Sequence, residues 1–119
     1  MASLLVNVGK EWTIDKLNET IQTTGDYIAW GTGAGTTTIT DTELFTEASE
    51  GRVLASRSKV GINKIRWIGT LTANSPKTIT NVGNFTSLVG GTLICKKDFT
   101  GIPLETGWMV EFTIELEIN

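Results

Sequence analysis

The 119-residue chain predicts an all-β fold, an antiparallel β-sandwich or jelly-roll-like barrel with one short N-terminal helix. Three observations predict it. The C-terminal run Gly107 to Asn119 places Trp108, Val110, Phe112, Ile114, Leu116 and Ile118 at every second position, the period of a strand with one buried and one wet face. Five further runs fit strands and are separated by turn signals such as Asn74-Ser75-Pro76 and Gly90-Gly91. The length suits one domain that buries roughly two-thirds of its unfolded surface without staples.

Taken in order, the chain opens with Met1 to Lys10, in which Leu4, Leu5, Val6 and Val8 have no sequence-local surface to cover them; Trp12 follows. Residues 1–12 therefore read as an N-terminal arm and residues 13–119 as a single β-sandwich domain, with Leu4, Leu5, Val6, Val8 and Trp12 contacting a partner or a second copy of the chain. Ile14, Leu17 and Ile21 fall at helical spacing, with Thr13 as N-cap and Gly25 as stop, which predicts a helix over residues 14–23. Strands are expected over Asp26 to Trp30, Arg52 to Val60, Asn63 to Ala73, Lys77 to Phe85 and Thr92 to Phe99, before the terminal one. Trp30, Trp67 and Trp108 lie within these patterns and are expected in the core.

The stretch Ile28 to Thr38, IAWGTGAGTTT, poses a choice between a phosphate-cradling loop and a corner. A dinucleotide-binding G-x-G-x-x-G would need glycine where Thr36 stands, and no Gly-Lys-Ser or Gly-Lys-Thr occurs in the chain. The glycines are expected to let the backbone turn at positive φ. Asp41-Thr42 would then fix the next turn through local hydrogen bonds, with Leu44 and Phe45 tucked into the core.

The chain contains no histidine, so it lacks an imidazole metal ligand and a Ser-His or Cys-His nucleophile pair. Asp41, Glu43, Glu47 and Glu50 cluster in sequence, but no apolar run nearby would raise the pKa of one of them, and they read as solvated acids rather than a glycosidase pair. The single Cys95 reads as a small core residue. Net charge is −3 with scattered Lys and Arg, so nucleic acid is not an expected partner. No apolar run reaches the roughly 20 residues of a membrane helix, and MASLLVNVGKEW lacks the long apolar core of a signal peptide. No enzyme activity, cofactor or metal is expected.

The order of the pieces carries a resemblance. Tyr27-Ile28-Ala29-Trp30-Gly31-Thr32-Gly33 is followed by Thr40-Asp41-Thr42-Glu43-Leu44, then Glu47 and Arg52, then Lys77 to Phe85, then Gly90-Gly91-Thr92-Leu93-Ile94 and a closing strand. From Tyr27 on, this resembles a group of small tailed-bacteriophage virion proteins with a GTG…DTxL…E…R block and an ITxxGxF…GGTL block. Asn81 stands where that pattern has Glu, and Asn84 where it has an apolar residue. The resemblance implies a non-enzymatic virion protein assembled in the bacterial cytoplasm: a capsid decoration or cement protein on the major capsid protein shell, or a tail-fibre, collar or baseplate component. It also implies a homo-oligomer, with a trimer favoured. A carbohydrate-binding module is the reading from another class, and it needs coplanar exposed aromatics.

Overall fold

Two antiparallel sheets and one helix build the described residues, 4–19 and 24–118, of the computed structural model. In chain order the elements are β1 (Leu4–Leu5), α1 (Asn7–Leu17), β2 (Tyr27–Gly31), β3 (Val53–Leu54), β4 (Ser56–Val60), β5 (Lys64–Thr72), β6 (Lys77–Phe85), β7 (Leu93–Leu104) and β8 (Met109–Glu117). One sheet runs β1-β7-β6-β2-β3 and the other β4-β5-β8. The all-β sandwich with a single short helix is the fold the alternation predicts.

The main core fills the space between the sheets. Ile28 and Trp30 of β2 and Val82 of β6 meet Trp67 and Leu71 of β5 and Ile114 and Leu116 of β8. Trp30 stands edge-on to Phe112 with ring centroids 6.2 Å apart, an arrangement the ring quadrupoles favour. Cys95 is fully buried here, and burial pushes its thiol up to about 12, as suits an inert core residue. A second, smaller core lies on the opposite face of the five-stranded sheet. There Ala29 and Phe85 are covered by Val6 and Leu44, with Leu93 beside them.

The structure corrects four sequence expectations. The first concerns the arm. Residues 4–12 belong to the domain: Leu4 and Leu5 pair with Lys96 and Cys95 of β7, Val6 is fully buried, and Trp12 enters the main core. The helix starts at Asn7, well before the expected residue 14, and Thr13 is an interior residue whose hydroxyl donates to the Gly9 carbonyl. No side chain caps it; the Asn7 amide instead donates to the Ile39 carbonyl at 2.7 Å, so a remote loop does the work of an N-cap. Ile14 and Leu17 face water, and Ile21, with the rest of residues 20–23, lies outside the described residues.

The second correction is to Arg52 to Val60, which is two strands: the chain passes from one sheet to the other at Ala55, whose amide donates to the Asp26 carbonyl. Third, Trp108 is 55% exposed, because β8 begins one residue later, after a turn in which Gly107 has φ +87°. Fourth, Gly31 and Gly33 are not among the residues at positive φ; they are glycines because another segment approaches too closely for a Cβ.

Ile114 is fully buried while its neighbour Thr113 is exposed, as the alternation of β8 demands. Ile114→Ala should cost about 2–5 kcal/mol in a urea titration through lost transfer energy and the cavity left behind. Thr113→Ala should change the midpoint much less.

Candidate functional site

The residues singled out by the sequence converge on the outer face of the five-stranded sheet, where the connection from β2 to β3 lies against it. Thr32 and Gly33 donate to the Thr46 and Phe45 carbonyls, and Ala48 donates to the Trp30 carbonyl, so residues 45–48 run antiparallel to the end of β2. A Cβ on Gly31 would stand 2.4 Å from the Phe45 carbonyl oxygen, and one on Gly83 would stand 3.0 Å from a Leu44 methyl. The Gly-x-Gly of the first block and the glycine of the second are therefore the floor on which Leu44 and Phe45 rest.

Two polar side chains, fully buried, fix this connection from below. Asn81 accepts a hydrogen bond from the Phe45 amide at 3.0 Å and donates to the Phe45 carbonyl at 3.1 Å, so one side-chain amide satisfies both backbone groups of a residue outside any strand. Lys96 is 1% exposed. Its ammonium donates to Asp41 Oδ2 and to the Glu43 carbonyl, both at 2.9 Å, and sits 3.3 Å from the centroid of the Phe45 ring. Asp41 in turn accepts from the Thr38 amide and hydroxyl, the local turn expected of it. Burial pushes the Asp41 carboxyl up, but the Lys96 ammonium and the Thr38 donors outweigh it and hold the group below its ordinary value.

A groove of about 410 Å³ opens along residues 40–46 with Lys96 in its wall. It is polar, but the ammonium is already committed to a carboxylate, a carbonyl and a ring, so it offers an incoming anion no free cation.

The other acids are similarly engaged. Glu47 binds Arg52 through both carboxylate oxygens at 3.0 Å. Arg52, its side chain 8% exposed, also donates to the Ser87 and Gly90 carbonyls and stacks 3.6 Å over Phe85, so it ties the first block to the Gly90-Gly91 loop of the second. Glu50 accepts from the Trp30 indole and the Asn74 amide, both at 3.0 Å, and pairs with Lys77. Burial alone would raise the Glu50 carboxyl, yet Lys77, the Asn74 amide and the Trp30 indole together hold it at about 2. Asp41 and Glu50 are both shifted down, the opposite of the shift a general acid requires near neutrality. Among the described residues no group of three or more His, Cys, Asp or Glu could hold a metal ion.

Of the five expected partner contacts, Val6 and Trp12 are buried by the chain itself, Leu5 and Val8 are half-buried, and Leu4 is 37% exposed. Val6 and Trp12 are thus taken up by internal packing, and Leu4 is the most exposed of the five. Sequence reading did not single out Lys96 as a site residue; it is one of two adjacent lysines that follow the apolar run Leu93-Ile94-Cys95 at the start of β7, and nothing local distinguishes it from Lys97. Asn81 carried a signal, as a departure from the resembling pattern.

Comparison of the chain with protein-family models, with curated proteins and with solved structures gives no match.

Two outcomes check this geometry. Asn81→Ala leaves the Phe45 amide unpaired and its carbonyl with the Gly33 amide alone, and should cost about 1–3 kcal/mol by chemical denaturation. The second is a pH dependence. Because Glu50 sits at about 2 in the folded chain against an ordinary 4.5, its contribution is complete above the ordinary value and is lost as pH falls through the folded one. The wild-type urea midpoint should thus drop between about pH 5 and about pH 2 by more than that of Glu50→Gln; equal drops would show that the Glu50 pairing contributes nothing.

Proposed function

We propose that this chain is a non-enzymatic structural protein of a tailed-bacteriophage virion, a capsid decoration or cement protein that binds the major capsid protein shell and stabilises it. The observation that carries this reading is how the two resembling blocks are used. Gly31, Asp41, Leu44, Glu47, Arg52, Gly83, Phe85 and Gly90 contact one another or the polar side chains between them, and those contacts hold a connection rigidly to a sandwich. Residues repeated for architecture rather than chemistry suit a part whose job is to be stiff and to be bound. A small stiff domain gains affinity for a shell by bridging several subunits, since weak contacts made together multiply. Trp12, Trp30 and Trp67 are buried, so the tryptophans do not supply the coplanar exposed platform of a carbohydrate-binding module.

The test is co-sedimentation with emptied capsids and, separately, with purified tails and fibres. Saturable binding to shells, with a raised temperature of shell disruption, is the expected result. Binding to tails alone would move the chain to a tail-fibre, collar or baseplate role, and binding to neither would remove the virion reading. The same reading makes the chain a trimer, since threefold positions of a shell impose that symmetry on what binds them. Sedimentation equilibrium should then return three times the chain mass, and a monomer mass would remove that part.

A further inference from the structure

We infer that the open end of the β4-β5-β8 sheet is a docking site for an extended acidic segment of a partner protein, added as a strand along β4.

Three observations lead there. The inner face of this sheet runs past its cover. Asp26, just ahead of β2, reaches the Trp67 indole at 3.0 Å and Arg57 at 2.8 Å, which sets the level at which the five-stranded sheet begins. Ile65 and Leu116, one alternation farther along, and Ile118 beyond them, line a cavity of about 390 Å³ with Lys59, Ile62 and Lys64. A second cavity of about 310 Å³ adjoins it and shares Lys59 and Ile65. Ile62 is 98% exposed and Ile118 57% exposed, so this end displays aliphatic surface to water.

The cation this end displays is Lys59, since Lys64 stands directly across from Glu117 and Arg57 is held by Asp26. Among the described residues, neither Lys59 nor Lys64 is in an ion pair, unlike Lys77 and Lys96, which are nearly buried against carboxylates. Lys59 stands opposite Ile65, so its side chain belongs to the inner, cavity-lining face.

Finally, β4 is a sheet edge. It pairs with β5 on one side, and among the described residues no strand pairs with the other. Lysine and arginine on an open edge reject neutral and basic strands. A carboxylate of an incoming strand opposite Lys59 reverses that, because a cross-strand charge pair forms on the inner face while main-chain hydrogen bonds complete the edge. The occupant is thus an extended segment with Asp or Glu opposite Lys59 and an aliphatic residue two positions away, on the same face of the strand, that enters the cavity beside Ile62 and Ile118.

The test uses the full chain, ¹⁵N-labelled, titrated with the acetylated peptide Leu-Thr-Glu-Thr-Val-Thr, which carries Leu, Glu and Val on one face, and with its counterpart in which Lys replaces Glu. Amide shifts are expected at Ser56–Val60, Ile62 and Ile118 with the acidic peptide and not with the basic one, weakening as salt rises. Lys59→Glu should raise the dissociation constant at least about tenfold, as reversal of a contacting charge does. Ile62→Asp, at a side chain with nothing to unpack, should do the same while keeping the β-sheet circular dichroism. Shifts elsewhere or none, equal binding of the basic peptide, or unchanged affinity in Lys59→Glu would overturn the assignment. The site does not rest on the virion reading: peptide binding at β4 without shell binding would remove only the latter.

Discussion

Residues 32–52 form a long connection without regular structure, and the rest of the molecule depends on how its backbone polar groups are satisfied. A connection of that length laid on a sheet buries amides and carbonyls that water can no longer reach, and each one left unpaired costs a lost hydrogen bond. Here the sheet supplies the partners. Residues 45–48 borrow the end of β2, Asn81 satisfies Phe45 from beneath, and Lys96 gathers Asp41, the Glu43 carbonyl and the Phe45 ring around one buried charge. The connection repays this by covering the outer face of β2 and β6, where Leu44 closes the second core. It also supplies the Ile39 carbonyl that starts α1. Without it, one face of the larger sheet and the start of the only described helix would both lack partners.

This arrangement explains which parts of the fold were legible in the sequence. β5 and β8 were visible because alternation is a local signal and the two pair along their full length in one register; β6 was visible although its ladder with β7 shifts register twice. The helix was misplaced because Ile14 and Leu17 mark its exposed face, whereas its buried residues are Gly9 and Trp12, a glycine and an aromatic that set no apolar period. Its start carries no capping side chain, since the cap is a carbonyl more than thirty residues away. The switch of sheets at Ala55 was invisible for a similar reason: β3 and β4 are both extended, and only a hydrogen bond to Asp26 separates them. The candidate site was half legible. Its glycines, acids and Arg52 could be picked out as a pattern, but the partners that give them meaning, Asn81 and Lys96, lie on strands far along the chain.

The division of labour among the charges follows from the same logic. Asp41, Glu47 and Glu50 each meet a cation whose side chain is itself largely buried, and buried charge is tolerable only when paired and hydrogen-bonded. The pairs of Asp41 with Lys96 and of Glu50 with Lys77 join segments distant in sequence, so they specify the position of the connection more than they add to stability. Lys59, at the free end of the smaller sheet, answers to no such constraint. The molecule thus separates a sealed face, where polar groups serve the fold, from an open end, where they are free for a partner.

Native-state hydrogen exchange of the unmodified chain tests most directly the claim that the 32–52 connection is held as firmly as the strands. The amides of Thr32, Gly33, Phe45 and Ala48, each donating to a carbonyl or to Asn81, should exchange with protection close to that of β6. Exchange of these amides at rates typical of an open surface loop, while β6 stays protected, would contradict the account.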